Sequence, residues 1–201
     1  MSDTNTLTLN TYNEGVQRYI ESTPQVVSGV FKDWIDGAFE DVPADAGILE
    51  LGSAFGRDAD YIESLGHTVE RTDGSVGFVD YLKSQGKSAR VLNVVTDEIK
   101  AASYDVIFAK AVLLHFNVPE LETVLARISK GLRASGLFVF TLKIGDGEEV
   151  RIDKLAGERY FHYWTADTIA PLLKVASFDV TQVESSEDQK WLHIIAKKET
   201  V

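Results

Sequence analysis

From residue 47 onward, short apolar runs alternate with segments whose apolar positions recur every three or four residues. Such runs suit strands buried on both faces and such segments suit amphipathic helices, so the alternation predicts βαβ units in a parallel sheet. Ile48–Leu51 is the first expected strand. The helix after it begins near Arg57, sets Ala59, Ile62 and Leu65 on one face, and stops at Gly66. Residues 67–72 form a second strand. Ser75 then caps a helix carrying Phe78, Val79 and Leu82, which stops at Gly86, and residues 89–92 form a third strand. Tyr104–Ala109 is the fourth. Asn117 with Pro119 and Glu120 makes a capping box at the head of a helix running to about Leu132, and residues 137–142 form a buried fifth strand. Thr165 opens a last helix ending near Ala176, with an irregular turn expected at Pro171. Residues 178–183 and 191–197 flank a polar stretch and predict a terminal antiparallel hairpin.

Two stretches stand outside this alternation. Residues 12–40 predict two helices broken at Pro24, the first with Tyr12, Val16, Tyr19 and Ile20 on one face, the second with Val27, Val30, Phe31 and Trp34. They are placed to cap the sheet, as an N-terminal helical cap over residues 1–44. Residues 144–159 are polar and rich in glycine and charge, and they precede the aromatic cluster Tyr160, Phe161, His162, Tyr163 and Trp164. Residues 144–164 are therefore either a lid over a substrate or a hairpin of the core.

Composition narrows the class. With 201 residues, 44% of them apolar, one domain with one substantial core is expected. No apolar run approaches the roughly 20 residues that cross a bilayer, and the opening residues lack the features of a secretory leader. The chain has no cysteine, which excludes disulfides and thiolate metal sites, and no pair of its histidines has metal-ligand spacing. A cytoplasmic protein without a metal, monomeric or homodimeric, is the expectation. The formal charge of −11 repels polyanions, so nucleic acid and membrane partners are not expected. Arg127, Lys130 and Arg133 cluster at one helix end, where cations complement the helix dipole.

In an open parallel sheet, ligands bind beyond the carboxyl ends of the strands where the strand order reverses, next to the loop after the first strand. Here that loop is Gly52-Ser53-Ala54-Phe55-Gly56, whose small residues at 52, 54 and 56 allow a tight turn and close approach of a ligand to the backbone. Asp73, at the end of the second strand, is placed to accept hydrogen bonds from both hydroxyls of a ribose. A dinucleotide fingerprint starting at Gly52 requires glycine at 54 and 57, where this chain has Ala54 and Arg57, followed by Asp58 in the first helical turn. An aspartate there repels a pyrophosphate. S-adenosylmethionine carries no phosphate but an ammonium and a sulfonium, which tolerate negative charge from Glu50 or Asp58.

The motif Glu50-x-Gly52-x-Ala54-x-Gly56 resembles the first motif of the class I S-adenosylmethionine-dependent methyltransferases, with alanine for the middle glycine. Thr72-Asp73-Gly74-Ser75, Leu92-Asn93-Val94 and the run from Tyr104 to His115 are similar to later motifs of that family, and the resemblance spans roughly residues 46–197. It implies a Rossmann-like, doubly wound α/β fold with a seven-stranded sheet, mostly parallel and closed by a C-terminal antiparallel hairpin. It further implies S-adenosylmethionine as cofactor, S-adenosylhomocysteine as product, and a small-molecule acceptor methylated on O, N or C. Cofactor contacts are implied for Glu50, Gly52, Ser53, Ala54, Gly56 and Asp58, for Asp73, Gly74 and Ser75, for Asn93 beside the adenine with Val94, and for Ala109 and Lys110 at the methionine end. Arg57 either pairs with Asp58 or Asp60 or reaches a carboxylate of cofactor or substrate. Tyr12 and Tyr19 either belong to a core helix or fold over the cofactor. His115 is either the general base or a packing residue. Two rival readings remain: a module that binds the cofactor without turnover, and a nucleotide-dependent oxidoreductase.

Overall fold

A computed structural model describes residues 3–152 and 154–200, so Met1 and Ser2 of the expected cap and Asp153 of the expected lid lie outside the described residues. The elements are α1 (Asp3–Glu14), α2 (Val16–Glu21), α3 (Gly29–Phe39), β1 (Ile48–Leu51), α4 (Arg57–Ser64), β2 (Val69–Asp73), α5 (Val76–Ser84) and β3 (Ala89–Val91). They continue with β4 (Tyr104–Ala109), α6 (Val118–Gly131), β5 (Leu132–Lys143), β6 (Glu148–Ile152), β7 (Glu158–His162), α7 (Ala166–Val175), β8 (Phe178–Ser185) and β9 (Trp191–Lys198). Seven strands form one sheet in the order β3-β2-β1-β4-β5-β9-β8. The pairs from β3 to β5 are parallel, whereas β9 runs antiparallel to both β5 and β8. This is the Rossmann-like seven-stranded sheet with a reversed terminal hairpin.

The apolar runs make this sheet because successive residues of a strand face opposite sides and both sides are covered. Leu49, Ile107, Phe138 and Phe140 pack with Leu121, Val124, Leu125 and Ile128 of α6 and Ile169 and Leu173 of α7. Ile48, Val106, Phe108 and Val139 face the other way, against Trp34, Ile35, Ala38 and Phe39 of α3 and Ala59 and Ile62 of α4. The capping box heading α6 forms as its sequence requires, Asn117 accepting from the Glu120 amide at 3.0 Å and Glu120 from the Asn117 amide at 3.1 Å. Helix α7 runs through Pro171 without interruption. Arg127 donates to the backbone carbonyls of Val94 and Val95, Lys130 pairs with Glu98, and Arg133 pairs with Asp105. Those cations therefore tie loops to α6 and β4 and form no free basic patch. Among the described residues no helix is long and apolar enough to cross a membrane.

Two regions differ from the sequence expectation. The N-terminal stretch holds three helices, not two, and the break in the first expected one falls at Gly15, with Pro24 in the loop before α3. Helix α1 buries Asn5, Thr8 and Thr11, and hydrogen bonds hold it: Thr8 accepts from the Tyr160 amide at 3.1 Å, Thr11 donates to the Glu158 carbonyl at 2.6 Å, and Asn5 accepts from Asn93 at 2.8 Å. The second is that residues 148–162, within the stretch expected as a lid or a core hairpin, form the hairpin β6–β7, a two-stranded sheet apart from the main one and lying against α1. Its turn buries Leu155 beside Gly15, while β7 buries Tyr160 and Phe161.

Candidate cofactor and acceptor clefts

The chain leaves β1 toward β2 and β3 on one side and returns through β4 on the other, so the strand order reverses between β1 and β4. The loops leaving these two strands bound the crevice. In the first, Gly52, Ala54 and Gly56 all take positive φ, at 73°, 46° and 91°. A methyl group on Gly52 would overlap the Val112 side chain from the β4 loop. Alanine at 54 thus occupies the left-handed region at a strain of about 1–2 kcal/mol.

The loop is pinned from β2. The Ser53 amide donates to the Thr72 carbonyl at 2.9 Å, and the Thr72 hydroxyl donates to the Glu50 carbonyl at 2.6 Å. Asp73 accepts from the Ala54 amide on one carboxylate oxygen and from the Ser75 amide on the other, each at 2.8 Å. Burial pushes its pKa up to about 6, with those two amides acting in the opposite direction. Each oxygen keeps a second lone pair for a ligand hydroxyl.

Two clefts open here. The first encloses about 690 Å³ including its mouth, and its wall contains Gly52, Ala54, Asp73, Gly74, Asn93 and Val94. Phe78, Leu92 and Leu9 add apolar surface, and α1 contributes Asn5, Thr8 and Tyr12. Asn93 donates to Asn5 and accepts from the Val95 amide at 3.2 Å, so its amide first fixes the local turn and α1. The second cleft, about 1130 Å³ with its mouth, carries Ser53, Phe55, Arg57 and Asp58. Tyr12, Tyr19, Gly52, Ala54, Lys110, Ala111 and His115 belong to both walls, so the clefts meet along these residues.

Gly56, Ser75, Ala109 and Glu50 lie behind these walls. Gly56 turns the chain against Leu82, Ser75 caps α5 and donates to Asn13 at 2.8 Å, and Ala109 ends β4 fully buried. Glu50 is buried under the loop with one carboxylate oxygen unpartnered, and desolvation pushes its pKa up to about 8, reinforced by Asp58. Arg57 resolves toward pairing: it donates to Asp58 at 2.7 Å and to the Pro24 carbonyl at 2.8 Å. Lys110 lies 3.7 Å from Asp58 and 3.8 Å from the centre of the Phe31 ring, and burial lowers its pKa to about 8. Burial raises the Tyr19 hydroxyl, which therefore stays protonated.

His115 is buried in a chain of hydrogen bonds. Its Nδ1 lies 2.7 Å from the Tyr160 carbonyl, which only accepts, so Nδ1 carries a proton, and in the neutral ring Nε2 accepts from the Tyr12 hydroxyl at 2.8 Å. Arg159 in turn donates to that hydroxyl at 2.7 Å. Tyr12, which the sequence left between a core helix and one folding over the cofactor, thus links His115 to Arg159 at the cleft wall.

Raised carboxyls carry a stability consequence. A group that binds its proton more tightly when folded contributes stability fully below its unfolded pKa, near 4, and loses that contribution as pH rises through its folded value. For Glu50 the loss spans pH 4.5 to about 8. We expect Glu50→Gln to melt several degrees above the wild type at pH 8.5 and to converge with it near pH 5, in melts without ligand. A difference independent of pH would place the Glu50 charge elsewhere.

The donor set suits a phosphate-free nucleoside. Asp58, only 14% exposed, stands in the first turn of α4, where a pyrophosphate would meet it, and Asp73 is in place for a ribose. Sheet order, reversal crevice and nucleoside cleft together define a class I S-adenosylmethionine-dependent methyltransferase fold. Residues 49–140 match the family model described as "Methyltransferase domain", a family that uses S-adenosylmethionine. Solved structures share the whole fold. The CcbJ methyltransferase from Streptomyces caelestis is 15% identical over 94% of this chain and 98% of its own, with a TM-score of 0.72. A TehB-like S-adenosylmethionine-dependent methyltransferase from Corynebacterium glutamicum is 19% identical over 95% and 98%, at 0.68. The 1,6-didemethyltoxoflavin-N1-methyltransferase from Burkholderia thailandensis, solved with 1,6-didemethyltoxoflavin and S-adenosylhomocysteine, is 22% identical over 84% and 76%, at 0.65. A search of curated proteins gave no match.

Proposed function

We propose that this chain moves a methyl group from S-adenosylmethionine, held in the first cleft, to an O, N or C atom of a small molecule held in the second. The observation that carries this reading is the shared wall: two clefts meeting at Gly52, Ala54, Lys110 and Ala111 give a methyl group a path between ligands. Asp73 holds the ribose hydroxyls, and Asn93, Val94, Leu92 and Phe78 enclose the base. Asp58 and Lys110 offer opposite charges to the ammonium and carboxylate of the methionine end. A bound cofactor supplies a sulfonium methyl that is already electrophilic. The protein's part is therefore to position the acceptor in line and exclude water. Where the acceptor must lose a proton, Tyr12 and His115 relay it, with Nε2 as the final base. The solved relative from Burkholderia, with its bound small molecule, supports this class of acceptor.

Titration calorimetry of the full chain with S-adenosylhomocysteine tests the reading. A dissociation constant in the micromolar range is expected. No heat at millimolar ligand would reject it.

A further inference from the structure

Three distant segments converge on one hydroxyl. Tyr12 comes from α1, His115 from the loop after β4, and Arg159 and Tyr160 from β7. The Tyr12 hydroxyl meets Nε2 of His115 at 2.8 Å, Arg159 donates to the same oxygen at 2.7 Å, and the Tyr160 carbonyl holds Nδ1 at 2.7 Å. The imidazole is 7% exposed and packs edge-on to Tyr12 and beside Phe161, with ring centres 5.5 and 5.0 Å away. Tyr12 and His115 line both clefts, so the hydroxyl stands where the two meet.

This order of groups suits a proton moving inward. As Tyr12 passes its proton to Nε2, negative charge builds on the phenol oxygen, where the Arg159 guanidinium stabilises it, and positive charge builds on an imidazole whose Nδ1–H already faces a carbonyl. Arg159 keeps its charge and the carbonyl only accepts, so neither competes for the proton. Acidity then selects the acceptor. A tyrosine ionises near about pH 10, so a hydroxyl of like acidity exchanges its proton with Tyr12 almost evenly, whereas an alkyl alcohol is far too weak an acid. Phe55, Leu114, Phe161 and Trp191 give the second cleft the apolar surface that a ring requires.

We propose that the acceptor is a weakly acidic ring hydroxyl, a phenol methylated on oxygen, with Tyr12 the catalytic residue that takes its proton, His115 the group that stores it, and Arg159 a positioning residue. This deepens the methyl-transfer reading and rests on it. The acceptor O–H bond breaks as a new O–H bond forms on Tyr12, whose original proton moves to Nε2. The electron pair left on the acceptor oxygen forms the bond to the sulfonium methyl, and the pair of the breaking C–S bond stays on sulfur. Tyr12 ends as it began, and one proton remains on His115.

3-Nitrophenol, which changes colour on ionising and does so above the usual imidazole value, tests this on the full chain saturated with S-adenosylhomocysteine; 3-nitroanisole supplies the same ring without the proton. One pH unit below the midpoint of the free probe, about a tenth of it is ionised. The bound probe is expected to be at least half ionised there, a tenfold or greater rise in its acid dissociation constant. Calorimetry in buffers of different ionisation heat should find most of that proton retained by the protein. Tyr12→Phe should return the bound probe to the free midpoint and leave 3-nitroanisole affinity within twofold. Arg159→Gln should lose part of the shift, and Arg159→Lys, which restores a cationic donor, should recover it. If these variants melt abnormally, the wild-type colour and proton balance decide. A bound probe that stays protonated, ionises with full release of its proton to the buffer, or fails to bind at millimolar concentration overturns the proposal and leaves the methyl-transfer reading standing. Should S-adenosylhomocysteine fail to bind while 3-nitrophenol alone still ionises with its proton retained, the proton site stands and the methyl-transfer reading falls, taking the assignment of an acceptor with it.

Discussion

Asp73→Asn should weaken S-adenosylhomocysteine binding by roughly 30- to 100-fold, because a carboxylate that accepts from two ribose hydroxyls makes two charge-assisted bonds of about 1.5–3 kcal/mol each. The variant cannot recover both with its amide. In the wild type each Asp73 oxygen also accepts a backbone amide, from Ala54 and from Ser75, so the asparagine nitrogen must face one of those N–H groups. A fall of a few degrees in melting temperature should accompany the loss of affinity, since a donor is then left opposite a donor in a buried site. The pH dependence separates ribose binding from loop disturbance. With the Asp73 pKa raised to about 6, the wild type is mostly ionised at pH 7.5 and mostly protonated at pH 5, so its affinity should drop about tenfold between those values. Calorimetry at both pH values should find that dependence missing in Asp73→Asn. Unchanged affinity in the variant would show that the carboxylate serves the loop alone.

The same carboxylate shows how far a sequence reaches. Strand and helix positions from Ile48 to Ala109 were legible because each apolar run ends at a glycine, a cap or a charged turn, and the reversal crevice follows from the alternation. Asp73 was legible because its distance from the glycine loop is a consequence of one helix and one strand. Helix α1 was not, since its buried face is Asn5, Thr8 and Thr11, and no search for apolar periodicity detects a face held by hydrogen bonds. Polar residues at helical spacing, Asn5, Thr8 and Tyr12, were the available signal.

The hairpin β6–β7 hid for a related reason. Its strand β6 leaves Val150 and Ile152 exposed, so the usual alternation of a half-buried strand is inverted, and the aromatic residues of β7 gave the only apolar cue. Without that hairpin Arg159 reads as surface charge, because only the fold brings β7 to Tyr12. His115 was visible as a histidine after β4. Its tautomer was not, because Tyr12 and the Tyr160 carbonyl come from distant parts of the chain.

Gly52→Ala should cost about 2–4 kcal/mol of stability, and Gly66→Ala no more than about 1–2, although both glycines hold positive φ, at 73° and 102°. The backbone cost is common to the two, so the difference isolates contact. A methyl at Gly66 meets nothing within 4 Å, whereas one at Gly52 overlaps Val112 and forces apart the two loops that frame both clefts. Melting temperatures should therefore fall by several degrees more for Gly52→Ala, and S-adenosylhomocysteine affinity should fall at least tenfold, because the loops that approach the ligand no longer meet. Adding Val112→Ala removes the overlapping methyl and leaves its Cβ at 3.7 Å, an ordinary contact. The double variant should regain most of the excess loss in both measurements while keeping the backbone cost, a coupling that only residues in direct contact show. If Gly52→Ala and Gly66→Ala melt together, the close approach of the β1 and β4 loops is not what demands a glycine there.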